Sequence, residues 1–424
     1  MAPRDRSAPG VRLALYADAK ATSGTPLDFG MRLLGLTFED CDDKADKLTL
    51  QLDNFDLSLL SREELMGGAI LEASWGYPGA MSPPRRCLVR SLKGFQQLTI
   101  EAQSLGVLID QVARTRGFEG MTRSAVVRAI AREHGFDDSA VDVEDTTATL
   151  DVLNQAAETD ARFLRRLAAR EGFVFYVDAS GLHWRRRRLD TPPTHVFTWY
   201  GGDRGDLLSV NVDSDLVKRA GSVTVQARDP IAKTTVTSSS SAATASRPTL
   251  GDVVEVVDPT SGASSILERN ATASVASSSA ATPAGASREA EARFVAAERE
   301  AVKLTVMVVG DPTIEAKTIV ELRGISPLLS GKYYVIEAKH LLQGGAYTCE
   351  LKLRRDGKGR TTGATAADAV APQTGEKNTA TSPAPGAPRI VERVDPETGL
   401  SCVAYDASGA VSSDPEAQLV SRAR

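Results

Sequence analysis

The chain has 424 residues and a mass of 45.0 kDa, room for roughly two to four domains of ordinary size. Hydrophobic residues are 42% of it, but no apolar run reaches the ~18 residues of a transmembrane helix, and the opening MAPRDRSAPG lacks the apolar stretch of a secretory signal. A net charge of -5, from 50 Lys+Arg against 55 Asp+Glu, excludes a basic nucleic-acid coat, and 5% aromatic residues argue against an aromatic carbohydrate-binding face.

After a tail that reads as disordered (1–10), residues 11–103 read as short strands: VRLALYA, MRLLGLTFED, DKLTLQLDN, GAILEASWGY, RCLVRSL and QLTIEA, separated by Gly, Asp and Pro. In DKLTLQLDN, alternation sends Leu48, Leu50 and Leu52 to one face. This density of strands predicts an antiparallel sandwich or small barrel. The pattern then changes over 104–200. Leu105, Leu108, Ile109 and Val112 predict a helix over 104–117. TRSAVVRAIAREHG predicts a second helix, capped by Thr122 or Ser124 and ended by Gly135. A third is predicted from Leu150 to Glu171, capped by Thr149 and ended by Gly172. FVFYVDASGLHWRRRR then reads as a hairpin turning at 178–181.

Strand patterns return at 207–217 and 221–230 and open a second β region, 201–355. Within it, 234–287 is rich in Ser, Thr and Ala and reads as a surface excursion, partly disordered, because it can bury little. A helix is predicted over 287–302, then strands KLTVMVVG, KTIVELRGI, KYYVIEAKHL and YTCELKLRR. Residues 356–388 have linker composition. Residues 389–424 hold a hairpin signal in which Val391, Val394, Val403 and Tyr405 need a surface to bury against, either this chain or a partner.

No catalytic or cofactor signature is present. Cys41, Cys87, Cys349 and Cys402 are scattered, as are His134, His183, His195 and His340, whereas a zinc knuckle needs paired ligands. Reduced structural cysteines are the expectation, with long-range disulfides or a split metal site left open. GISPLLSGKYY has six residues between its glycines, where a phosphate loop has four, and Tyr333 where Ser or Thr would hold magnesium. Glu133-His134 reads as a charged last turn of helix. Acidic residues such as Glu39, Asp40, Asp42, Asp43, Glu144 and Asp145 read as solvated turns, although a glycosidase pair needs no fixed spacing. Arg185, Arg186, Arg187 and Arg188 form the sharpest charge run; alternation splits them between two faces, so they read as a strand end or a protein contact.

Two segments echo each other. GAILEASWG…RCLVRSLKGF…QLTIEAQ and KTIVELRGI…KYYVIEAKHL…YTCELKLR share a strand, gap, strand, turn, strand pattern, and Ile70 precedes Thr99 by the interval that separates Ile319 from Thr348. One β domain, present twice, would account for this.

Three phrases carry a resemblance: ETDARFLRRLAAREGFVFYVDASGLHW (158–184), GDPTIEAKTIVELRGISPLLSGKYYVIEAKHLLQGGAYTCELKLRR (310–355) and GFEGMTRSAVVRAIAREHGF (117–136). In their order along the chain they resemble the late control protein D family of phage tails, the baseplate hubs of contractile injection machines, and are similar to the hub part of type VI secretion spikes. The resemblance spans about 11–355. It implies a mainly β fold of two similar antiparallel, tail-tube-like β-barrels with a helical and hairpin insertion. It further implies a homotrimeric structural adaptor between a sixfold tail tube and a threefold central spike, in contact with other baseplate proteins. Such a hub would need no cofactor and no specific nucleic acid. It would be assembled in the cytoplasm into a virion tail or a related injection particle. A long 234–287 and the region after Arg355 depart from the family pattern, and the glycine-punctuated β-helix of a fused spike is missing. The alternative from another class is a peptidoglycan-binding or cell-wall-degrading tail component.

Overall fold

The computed structural model describes residues 8–18, 21–62, 65, 67–199, 206–213, 222–228, 233–241, 248–251, 255–257, 264–266, 273–278, 282–326 and 328–357, and three strands further on. Residues 1–372 and 373–424 form two compact units.

In chain order the first half of the main sheet is β1 (Gly10–Tyr16), β2 (Thr25–Leu27), β3 (Leu33–Cys41), β4 (Lys47–Asp53), β5 (Ile70–Tyr77), β6 (Ala80–Met81), β7 (Arg85–Gly94) and β8 (Gln97–Ser104). An insertion follows with β9 (Ala113–Thr122), α1 (Arg123–Glu133), β10 (Val141–Val143), β11 (Thr149–Thr159), α2 (Asp160–Glu171), β12 (Phe173–Asp178) and β13 (Gly181–Arg186). The second half holds β14 (His195–Thr198) and β15 (Leu207–Asp213). After an excursion with β16 (Ser222–Arg228), β17 (Thr235–Ser241), β18 (Glu255–Val257), β19 (Ser264–Ile266), β20 (Ala273–Ser278) and α3 (Pro283–Arg299), it ends in β21 (Val302–Val309), β22 (Ile319–Arg323), β23 (Gly331–Gln343) and β24 (Ala346–Arg355).

Strict alternation builds these strands. Leu48, Leu50 and Leu52 of β4 are each 0% exposed, with Lys47, Thr49 and Gln51 on the other face. β21 and β24 alternate in the same way. The protein is mainly β, and its main sheet is one path of hydrogen-bonded strands, β15-β21-β24-β23-β3-β4-β8-β7-β5-β1-β2, open at both ends. The described strands therefore do not close into two separate barrels within the chain. One core underlies both halves and joins Phe38, Leu50 and Trp75 to Val306, Val335 and Leu351.

The sequence echo has a topological counterpart. Six strands of the first half lie in the order β3-β4-β8-β7-β5-β1, and six of the second in the order β15-β21-β24-β23-β22-β14. Ranked by their own chain order, the two sets have the same arrangement. They differ at one pair: β1 runs antiparallel to β5, but β14 runs parallel to β22. The matching interval between Thr99 and Thr348 is coincidental. Thr99 pairs with Lys93 and Glu350 with Lys339, so Glu350 is the counterpart of Thr99, because the β23–β24 hairpin runs further before turning at Gly344-Gly345.

The insertion has its own core, with Phe163, Leu164, Leu167, Phe175 and Trp184 buried. Thr122 Oγ1 accepts from Ala125 N at 3.2 Å to cap α1, and Gly135 follows that helix with φ +76°. Two predicted helices are corrected. Only 105–110 of the first is helical, as a 3-10 turn; Ser104 ends β8 and 113–117 open β9. Of the spaced apolar residues, Ile109 is buried, whereas Leu108 and Val112 are 42% and 62% exposed, so the spacing marks no helix face. The third helix begins ten residues late: 149–159 is β11, paired with β9, and Thr159 rather than Thr149 caps α2. Gly172, φ +72°, ends α2 as expected.

The Ser/Thr/Ala excursion is more ordered than its composition suggests. β17, β16 and β20 form a sheet, β18 pairs with β19, and α3 starts at Pro283 instead of 287. Val225 and Ala227 pack against Ala286 and Ala290 of α3. Small side chains suffice because strand and helix approach closely. Residues 248–251 are also placed: Leu250 is buried, and Asp356 Oδ1 accepts from Leu250 N at 2.9 Å and Gly251 N at 3.0 Å. Most of what remains of 234–287, and 358–388 of the expected linker, lie outside the described residues. In the second unit β25 (Glu392–Val394), β26 (Ser401–Ala404) and β27 (Leu419–Val420) form an antiparallel sheet.

Candidate assembly surface

The arginine run is consumed largely within the chain. Arg185 Nε stands 2.7 Å from Asp142 Oδ2, and its guanidinium donates to Tyr176 Oη at 2.8 Å. Arg187 Nε donates to the buried Asp42 Oδ2 at 3.0 Å and its guanidinium covers the Tyr334 ring. Arg186 and Arg188 point outward, with side chains 74% and 62% exposed; Arg186 Nε pairs with Glu144 at 3.1 Å and Arg188 with Asp142 at 3.6 Å. Alternation thus separates the four as expected, leaving two cations on the surface and using Arg187 to fasten the insertion to the sheet.

A second polar contact backs this joint. Lys317 Nζ binds Asp40, lies 4.0 Å from Asp46 and sits 4.8 Å from the centre of the Tyr176 ring on the insertion. Burial, then the neighbouring Asp40 carboxylate, push the Asp46 carboxyl up to about 7. A cleft of about 470 Å³ opens beside it, lined by Asp46, Arg85, Ser104 and Leu108 and by the 178–181 turn of the insertion.

One pair resembles a nucleophile and its base. Cys349 Sγ is 3.2 Å from His340 Nδ1, and Tyr347 Oη is 2.7 Å from the same nitrogen. Both residues are sealed in the core. Burial pushes the thiol up to about 12 and the imidazole down to about 4, so both are neutral at ordinary pH. Cys41 and Cys87 are also free and buried. Among the described residues no three His, Cys, Asp or Glu side chains are grouped to hold a metal ion.

Two uncovered apolar surfaces lie on the sheet. β15 pairs with β21 on one side and with no described strand on the other, and it exposes Leu208 (47%) and Val212 (44%). At the end of the sheet away from the insertion, Phe55 and Phe95 are 69% and 60% exposed, held together by Asn54 Nδ2 donating to Phe95 O at 2.8 Å. Residues 93–346, more than half of the chain, match the family described as phage tail baseplate hub (GPD). The chain belongs to that family.

Solved structures share the hub's fold at low identity. A tail protein from Neisseria meningitidis MC58 aligns with TM-score 0.58 and 15% identity over 82% of this chain and 97% of its own. The 43 kDa tail protein of prophage MuSo2 from Shewanella oneidensis gives 0.56 and 12% over 82% and 98%. The E. coli c3393 protein, a component of the type VI secretion system, gives 0.51 and 10% over 81% and 76%. No curated protein sequence matches the chain significantly.

Of the hub's other predicted contact residues, Val394 and Val403 lie on the paired strands β25 and β26, and Val391 and Tyr405 lie outside the described residues. Sequence reasoning missed the β15 edge. The signal was there: LLSVNVD (207–213) repeats LLGLTFE (33–39) position by position in apolar pattern, so the strand that forms this edge has an interior twin.

Proposed function

We propose that this hub is a structural symmetry adaptor, three copies of which form a closed ring between a sixfold tail tube and a threefold central spike. The repeated six-strand order carries the reading. Each chain contributes two units of like topology, already joined edge to edge by β23 and β3, so three chains give a ring of six like units. In the ring the sheets would close barrel-like units that the single chain leaves open. A head-to-tail contact whose rotation closes yields such a ring. The exposed aromatic end suits the tube side, because both insertions leave the sheet from the opposite end, after Ser104 and after Asp213. The hub would be built in the cytoplasm with its tube, spike and other baseplate partners. It would have no enzymatic activity of its own; the shut Cys349–His340 pair supports this. A map of the assembled tail tests the reading: three copies per baseplate are expected, and six copies, or one, would overturn it. A peptidoglycan zymogram of the purified chain should show no clearing.

A further inference from the structure

The internal junction is a template for the junction between copies, an inference that rests on the ring reading above. Two β-bulges fix the correspondence. In the first half, Val89 N donates to Ala69 O at 2.8 Å and Gly68 N to Val89 O at 2.9 Å; in the second, Val335 N donates to Thr318 O at 2.9 Å and Lys317 N to Val335 O at 2.8 Å. A bulge follows each, at Val89/Ser91 and at Val335/Glu337. β3 and β15 carry the other matched pair of bulges, at Leu33/Gly35 and Leu207/Ser209. Bulges set register, so residues can be equated across the halves. Lys93 and Gly94 correspond to Lys339 and His340, and Leu36, Phe38 and Glu39 correspond to Val210, Val212 and Asp213.

The two members of each pair have different surroundings. Past its bulge, β23 pairs with β3: His340 lies opposite Phe38, and Lys339 lies opposite Glu39 with Nζ 3.9 Å from Oε1. Leu36 and Phe38 are 1% and 2% exposed there. Their twin β15 has the same bulge and the same apolar pattern, but no described strand beside it, and Val212 is 44% exposed. Past its own bulge, β7 is likewise paired only with β8, through residues 91–94, among the described strands. Each chain therefore has one filled junction and the two halves of a second.

We propose that the β15 edge of one copy pairs antiparallel with residues 91–94 of the next, in the register of the β23–β3 junction. Asp213 then faces Lys93 of the neighbouring copy, repeating the charge pair Glu39–Lys339, and Val212 faces its Gly94. Phe95, 60% exposed, is next along that edge and supplies apolar cover. The turn at Phe95 comes sooner than its counterpart, so this junction is shorter than the internal one. The ring therefore has alternating strong and weak seams, and the weak ones lie between chains.

The test is a disulfide in that register, since directly opposed residues of antiparallel strands lie within disulfide reach. Full-length chain carrying Lys93→Cys, Asp213→Cys and Cys402→Ser is oxidised in assembled tails and in concentrated solution, and run without reductant. The expected result is an interchain ladder ending at three chains, whereas a mixture of the two single-cysteine chains stops at two. As a second readout, Lys93→Glu should weaken self-association several-fold and Asp213→Lys in the same chain should restore it. Tails with three copies but no interchain bond would overturn the proposed register while leaving the ring intact. Tails with one copy or six would sink the ring reading itself.

Discussion

Arg187 Nε donates to Asp42 Oδ2 at 3.0 Å across 145 residues of chain, and Asp42 has almost no solvent of its own. Removing the arginine leaves a buried carboxylate without its hydrogen-bonded cation, with Arg299 the nearby charge that still faces it, and breaking a buried pair in this way costs far more than the pair's net contribution. Arg187→Ala should therefore destabilise the protein by roughly 3 kcal/mol. Arg186→Ala and Arg188→Ala, whose pairs are exposed, should stay within about 0.5 kcal/mol. Urea unfolding of the three variants checks this; equal losses would mean that the joint does not depend on Arg187.

The thiols give a second test. Burial raises the Cys41, Cys87 and Cys349 thiols, Cys41 and Cys349 to about 12. In a Cys402→Ser chain no thiol should react with an aromatic disulfide reagent at pH 8 in the folded state, and three should react in denaturant. Rapid labelling of the native chain would show that one of these sites opens.

The strands of the sheet were legible because alternation and burial agree in them: β4 alternates Lys, Leu, Thr, Leu, Gln, Leu, and its leucines are all buried. The insertion was less legible. Leu105, Leu108, Ile109 and Val112 have helical spacing, but Gly106 lets the chain turn against Val177, where a Cβ would come within 2.8 Å of the valine Cβ, and a strand follows. In β11 the exposed Val152 and buried Leu153 follow a period of two that a helical reading overlooks. The β3–β23 junction could not be read locally, since its partners are some 300 residues apart and neither strand names the other. Its echo in β15 was readable only by comparing 207–213 with 33–39.

The corrected helix start yields a direct comparison. Thr159 Oγ1 accepts from Arg162 N at 3.3 Å, whereas Thr149 lies at the beginning of a strand paired with Thr122. Thr159→Ala should cost at least about 1 kcal/mol, by the loss of the cap and of the hydrogen bond that its hydroxyl donates to Asp110. Thr149→Ala removes no cap and should cost less. Melting temperatures of the two variants decide it; a larger loss at Thr149 would restore the longer helix.

Asp46 makes stability depend on pH with a sign opposite to that of an ordinary ion-paired carboxylate. It is buried in the 42–46 turn, with Asp40 close by, Lys317 4.0 Å away, Arg85 nearby and Cys41 N donating to its Oδ1 at 3.2 Å. Burial and Asp40 outweigh the cations, so the folded chain holds this proton up to about pH 7. The unfolded chain releases it at about pH 4. Between those values the folded state binds the extra proton, so raising the pH through the window lowers stability, by at most about 1.4 kcal/mol per pH unit, and above the window the effect is constant. Asp46→Asn keeps an acceptor for Cys41 N and removes the titration. Its stability relative to the unsubstituted chain should rise from pH 5 to pH 7 and then level off. Urea midpoints of both proteins at pH 5, 6, 7 and 8 measure this. A difference that does not change with pH would show that Asp46 is already ionised in the folded hub, held so by Lys317.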